Sequence, residues 1–235
     1  PTHFWLPEVM QGSPLTTALL ITTWQKIAPI TLLYTISNHI EPTITLLIGV
    51  LSILAGGWGG FNQTQVRKMM AYSSIAHLGW TMTVISIMPN IALTNIIIYM
   101  IISTPFFFLI TTTSSKTLQT LTTTWNYAPT TTIILMFLML SMAGLPPLTG
   151  FTPKLLILDN LITHKLTLTA TLMALLSLLS LTFYLPTTYL LTSTASPTTT
   201  QSTTLWRLKP HQNQTTAALT PIALFNITIL PTLLK

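Results

Sequence analysis

Two lysines stand inside apolar stretches of a chain that carries almost no other charge: Lys26 in PLTTALLITTWQKIAPITLLY and Lys154 in SMAGLPPLTGFTPKLLIL. An ammonium at the centre of a bilayer costs about 3 kcal/mol on insertion scales and more by simulation, so its retention points to a function. Burial disfavours the charged form of an amine, and a desolvated lysine trades protons more readily than one in water. The chemistry open to the pair is therefore proton transfer. Pro29 follows Lys26 by three residues and leaves the Gln25 carbonyl without its helical donor, giving a polar kink that can hold water beside the amine. The competing reading is a lysine that snorkels or contacts a lipid headgroup, against which its central place in the stretch argues.

With Thr152 as N-cap and Pro153 at the first helical position, Lys154 falls in the first turn of a helix. The positive end of the helix dipole disfavours an ammonium there, in the same sense as desolvation. Asp159 lies five residues on, about 140° round the helix, and is expected to face the outer surface instead of pairing with the amine. His77, in MMAYSSIAHLGW, both donates and accepts, so it can relay protons between the lysines or serve as a hydrogen-bonded packing residue. Tyr72, Ser73 and Ser74 beside it can hold water or join helix to helix. Glu8, close to His3 and Trp5, is a candidate modulator of a buried lysine, or else marks an interfacial segment anchored by Trp5.

The elements that position these residues follow from composition. Charged residues make up 5% of the 235, hydrophobic residues 49%, and the mean hydropathy is +0.65, whereas soluble domains carry about 25% charge. The net charge of +6 is spread too thinly for a nucleic-acid surface. With no cysteine, disulfides, zinc–thiolate sites and iron–sulfur ligation by thiolates are excluded from the chain. Spans of about 20 apolar residues are expected near 14 to 36, 43 to 60, 69 to 88, 91 to 111, 166 to 193 and 215 to 234. Short alternating segments with turn signals, the mark of a β-barrel, are missing from this sequence. The expected fold is an all-α polytopic bundle forming a single transmembrane domain over 1 to 235.

The stretch from 129 to 163 would make a helix of roughly 52 Å, too long for the hydrocarbon core, so it must break. Gly144, Pro146, Pro147 and Gly150 supply the hinge. Such discontinuous helices accompany ion pathways in transporters. Arg67, Lys68, Lys116, Arg207 and Lys209 fall on one side of the membrane, and Lys165 and Lys235, with Glu41, on the other. The positive-inside rule makes the first side internal, with a polar loop near 196 to 214. The glycine cluster Gly56, Gly57, Gly59 and Gly60 around Trp58 is expected to end a helix and let neighbours approach closely. The chain opens on Pro1, and a further N-terminal part is expected upstream.

Four blocks, PTHFWLPEVMQGSPLT, TWQKIAP, GGWGGFNQTQVRKMMAYSSIAHLGW and GLPPLTGFTPK, in this order and spacing, resemble the chain 2 family of antiporter-like membrane-arm subunits in mitochondrial NADH:ubiquinone oxidoreductase, respiratory complex I. The resemblance runs over the whole chain. It implies a proton-translocating subunit built from inverted five-helix repeats, in which Lys26 matches the central lysine of an unbroken helix and Lys154 the lysine of the second broken helix. The family's glutamate and lysine pair would lie upstream of Pro1. Also implied are a mitochondrial inner-membrane location with the Arg67/Lys68, Lys116 and Arg207/Lys209 loops on the matrix side, other complex I membrane-arm subunits and lipid as partners, and FMN, iron–sulfur clusters and ubiquinone held by those partners. A stand-alone secondary cation/proton antiporter would use the same broken helix and buried lysines, and a third alternative is a scaffold without pumping activity.

Overall fold

The computed structural model describes residues 3–126, 128–195 and 214–225. The polar loop near 196 to 214, with Arg207 and Lys209, and the end of the last expected span, with Lys235, lie outside the described residues apart from the final helix that begins at Gln214. The regular structure described is helical: α1 (Leu6–Gly12), α2 (Leu15–Thr22), α3 (Trp24–Ile36), α4 (Pro42–Gly60), α5 (Val66–Val84), α6 (Pro89–Thr113), α7 (Leu118–Thr123), α8 (Pro129–Ala143), α9 (Phe151–Thr163), α10 (Thr167–Ser193) and α11 (Gln214–Phe225). Among the described residues α4, α6 and α10 are long and apolar enough to cross a bilayer on their own. α4, α6 and α8 each begin with a proline, whose missing N–H costs nothing in a first turn. The many hydroxyls inside helices return their protons to carbonyls one turn back, as Ser52 does to Gly49 and Thr83 to Trp80.

Two expected boundaries move. The span near 14 to 36 is interrupted at Thr23, between α2 and α3, and Pro29 sits inside α3. The Thr23 hydroxyl and the Thr23 N–H both donate to the Leu19 carbonyl, which leaves the chain there at φ −110°, ψ −73°. α5 begins at Val66 and ends at Val84, short of the expected 88. Met88 precedes Pro89 and is pushed out of the helical region, to φ −138°, ψ 86°.

Helix α5 occupies the centre. It packs against α1, α4, α6 and α9, which explains how a helix carrying Arg67, Lys68, His77 and two adjacent serines can lie in this bundle. A helix sheathed by protein does not need an apolar surface all round. At its start, the Val66 N–H donates to the Lys116 carbonyl and the Leu118 N–H to the Thr64 carbonyl, so Arg67, Lys68 and Lys116 share one end of the α5–α6 hairpin.

The α4–α5 contact depends on missing side chains. A Cβ on Gly56 would come within 2.7 Å of the Ala76 nitrogen and 2.8 Å of the Tyr72 carbonyl oxygen, backbone atoms that cannot give way. We predict that Gly56→Leu forces α4 off α5 at about 1–3 kcal/mol, the usual range for overpacking. The amount of assembled subunit on native gels should fall, and unchanged assembly would contradict this packing.

Candidate functional site

The break in the long apolar stretch builds one end of the site. α8 closes at Ala143, Gly144 takes the left-handed conformation at φ 79°, and helix resumes at Phe151. The two half-helices are roughly 22 and 20 Å long, each too short to span the hydrocarbon core. Within the break the N–H groups of Gly144, Leu145, Leu148, Phe151 and Thr152 all find local carbonyls. Pro146 and Pro147 have no N–H to satisfy, and they are the residues of the break that face outward. Thr149 is buried and donates its hydroxyl proton to the Ala223 carbonyl of α11.

The cap of α9 differs from the sequence expectation. Gly150, not Thr152, is the N-cap, and any Cβ at that position would collide with the Ser141 carbonyl. Lys154 is then the fourth helical residue, and its side chain runs back across the break. Its Nζ donates to the Ala143 carbonyl oxygen at 2.7 Å, the exposed carbonyl end of α8. The expected repulsion from the α9 dipole is thus offset, since the C-terminal end of a helix favours a cation. The Trp80 ring lies 5.9 Å from the amine.

Lys26 occupies the other end. It is 7% exposed, its Nζ has no hydrogen-bond partner among the described residues, and it lies 4.7 Å over the Tyr99 ring. An ammonium over an aromatic face is attracted by the ring's quadrupole. Tyr99 in turn packs on His77, with ring centroids 4.8 Å apart. The His77 imidazole lies near the Met142 carbonyl, and among the described residues its Nδ1 makes no hydrogen bond of ordinary geometry. Asn95 on α6 donates to the His77 carbonyl at 3.4 Å, and its own Oδ1 has no hydrogen-bond partner among the described residues.

Three cavities lie beside these groups. One, of about 10 Å³ measured for water centres, is lined by Lys26, Ser74, His77, Asn95 and Tyr99. A second of the same size is lined by Ser73, His77, Trp80, Lys154 and Tyr184. Each has room for about one water and offers it several polar neighbours. His77 borders both, so the structure brings the two lysines to one imidazole from separate cavities. A third, of about 40 Å³, runs from Lys26 past Pro29 and Thr81 to His3 and is mostly apolar.

Glu8 is exposed on α1 and lines none of these cavities, and Asp159 is exposed on α9. Lys26, His77 and Lys154 border these cavities, Gly144 lies against the Lys154 side chain, and Glu8 touches none of them. Sequence reasoning missed Asn95, Tyr99 and Tyr184. Asn95 is a polar residue inside an apolar span, and Tyr99 follows it by one helical turn on the same face, a signal that could have found both.

The chain is similar to known membrane proteins in sequence and in fold. Residues 1–180 match the family model described as "NADH:quinone oxidoreductase/Mrp antiporter, TM". The chain is 53% identical to a NADH-ubiquinone oxidoreductase chain 2 of Varanus timorensis, over 98% of this chain and 66% of that protein. It is 49% identical to the same-named protein of Polypterus ornatipinnis, over 74% of this chain and 51% of the relative. The chain spans about half to two-thirds of the length of these relatives. Among solved structures it resembles a chain of respiratory complex I from Thermus thermophilus with bound aureothin, at TM-score 0.74 and 24% identity, covering 99% of this chain and 55% of the other. A chain of the Mrp complex from Dietzia sp. DQ12-45-1b shares the fold at TM-score 0.68 and 17% identity, covering 84% and 40%.

Proposed function

Because this chain belongs to the NADH:quinone oxidoreductase/Mrp antiporter transmembrane family, we propose that it carries protons between Lys26 and Lys154 as part of a membrane-arm subunit of respiratory NADH:ubiquinone oxidoreductase. The observation that carries this reading is the convergence of two buried amines on His77 through cavities that each fit one water. A neutral amine accepts a proton through its nitrogen lone pair and an ammonium releases one, so each lysine can load from one neighbour and discharge to the next. His77 accepts at one ring nitrogen and releases from the other, which passes a proton on without the ring moving.

Electron transfer would reach this chain as a field. In a low-dielectric interior the charge on one amine alters the proton affinity of the next, over distances at which water would screen it. The chain has no cysteine to ligate a cluster. The iron–sulfur clusters would accordingly lie in partner subunits, and the resemblance assigns FMN and ubiquinone there as well. The location that fits is the mitochondrial inner membrane, with the Arg67, Lys68 and Lys116 end of the hairpin facing the matrix by the positive-inside rule.

Purification of the full complex from mild detergent tests the assignment. Co-migration with subunits that hold flavin and iron–sulfur clusters is the expected outcome. Recovery as a separate oligomer would favour a stand-alone cation/proton antiporter, the alternative that shares this fold.

A further inference from the structure

The proposed route through His77 leaves two buried phenols unexplained. Tyr99 on α6 is 3% exposed and Tyr184 on α10 is 1% exposed, and neither hydroxyl makes a hydrogen bond of ordinary geometry among the described residues. Both face the same small group. Tyr99 lies beside the hydroxyls of Ser73 and Ser74, and Tyr184 beside that of Ser73. Their surroundings differ in a way that matters: Tyr99 shares a cavity with Lys26, whereas Tyr184 and Ser73 share the other cavity with Lys154. A buried hydroxyl without a firm partner is costly, and phenylalanine would fill either place without that cost.

Resting on the proton-carrying reading above, we infer that Tyr99, Ser73 and Tyr184 form a hydroxyl-borne route between Lys26 and Lys154 that runs beside His77. At rest the Ser73 hydroxyl donates to the Met70 carbonyl at 2.7 Å; rotated off that carbonyl it offers its proton to the Tyr184 oxygen while a lone pair accepts from Tyr99. Transfer begins when the Lys26 ammonium gives a proton, through one water, to the Tyr99 oxygen. Tyr99 passes its own hydroxyl proton to Ser73, Ser73 releases its original proton to Tyr184, and Tyr184 releases its own to the neutral Lys154 amine. Each oxygen gains one proton as it loses another, so all three hydroxyls end neutral. The net change is one positive charge moved from Lys26 to Lys154, and rotation of the hydroxyls resets the chain.

The test uses the assembled complex in sealed vesicles, reading protons moved per ubiquinone reduced together with the amount of complex assembled. With two routes, His77→Leu retains a substantial part of the pumping, and His77→Leu combined with Tyr184→Phe falls at least about tenfold below it, a modest loss for removing a positioned proton carrier. Tyr184→Phe keeps the ring that packs on Phe183, so a purely structural role for Tyr184 predicts no such deepening. If the double variant does not assemble, His77→Leu with Ser73→Ala interrupts the same branch. The inference is overturned if His77→Leu alone abolishes pumping, or if the assembled double variant pumps as well as His77→Leu. Lys154→Met separates the two levels: its loss of pumping with an unaffected double variant removes the hydroxyl route alone, whereas normal pumping by Lys154→Met removes the underlying reading as well.

Discussion

Replacing Lys154 with methionine is expected to abolish proton transfer through this chain while the subunit still assembles. Methionine keeps the length and burial of the side chain and deletes only the group that binds a proton. The break does not rest on the amine alone, because the N–H groups of Gly144, Leu145 and Leu148 are paired with local carbonyls. What is lost structurally is one bond to the buried Ala143 carbonyl, worth about 1–3 kcal/mol. The rate of transfer should fall by on the order of 10² or more, as when a positioned acid–base group is removed. Lys154→Arg should fail as well, since a guanidinium keeps its proton. Pumping per ubiquinone reduced is the measurement, and full coupling in an assembled K154M complex would refute the assignment.

The second large effect is structural. Adding a methyl group at Gly150 places it against the Ser141 carbonyl, a backbone atom held within α8. Gly150→Ala must therefore push α9 away from α8 and carry Lys154 with it, at a cost at or above the roughly 1–3 kcal/mol usual for overpacking, each ~1.4 kcal/mol lowering the folded-to-unfolded ratio about tenfold. Gly144→Ala should be milder, about 1–2 kcal/mol for a non-glycine residue in the left-handed region. Native-gel quantification of the assembled complex ranks the two. Equal, wild-type levels would show that the half-helices are not held this closely.

Much of this was legible in the sequence, for physical reasons that differ by element. Apolar length announced α4, α6 and α10, and the charge of Lys26 and Lys154 announced the site, because a bilayer makes both expensive to violate. The proline pair marked where the long stretch loses helix. The sequence did not show which way the Lys154 side chain turns, since the direction depends on how close α8 and α9 approach at Gly150. Nor did it show Tyr99 and Tyr184, which lie on helices distant in sequence and meet at Ser73 only through packing around α5. Glu8 offers a carboxylate that could modulate a buried lysine or mark an interfacial segment, and its spacing does not say which way it faces: the helix turns it outward, as the interfacial reading expects.

The bond from Lys154 to the Ala143 carbonyl spans the gap between two half-helices that no continuous backbone ladder joins. A charged amine binds a carbonyl more strongly than a neutral one does. Proton occupancy and the separation of the half-helices are therefore thermodynamically linked, and the linkage is reciprocal. Protonation tightens the joint, and a force that opens the joint expels the proton. A neighbour that shifts α9 by a fraction of an ångström thus acts on the proton's affinity, and the proton's departure is returned to that neighbour as motion.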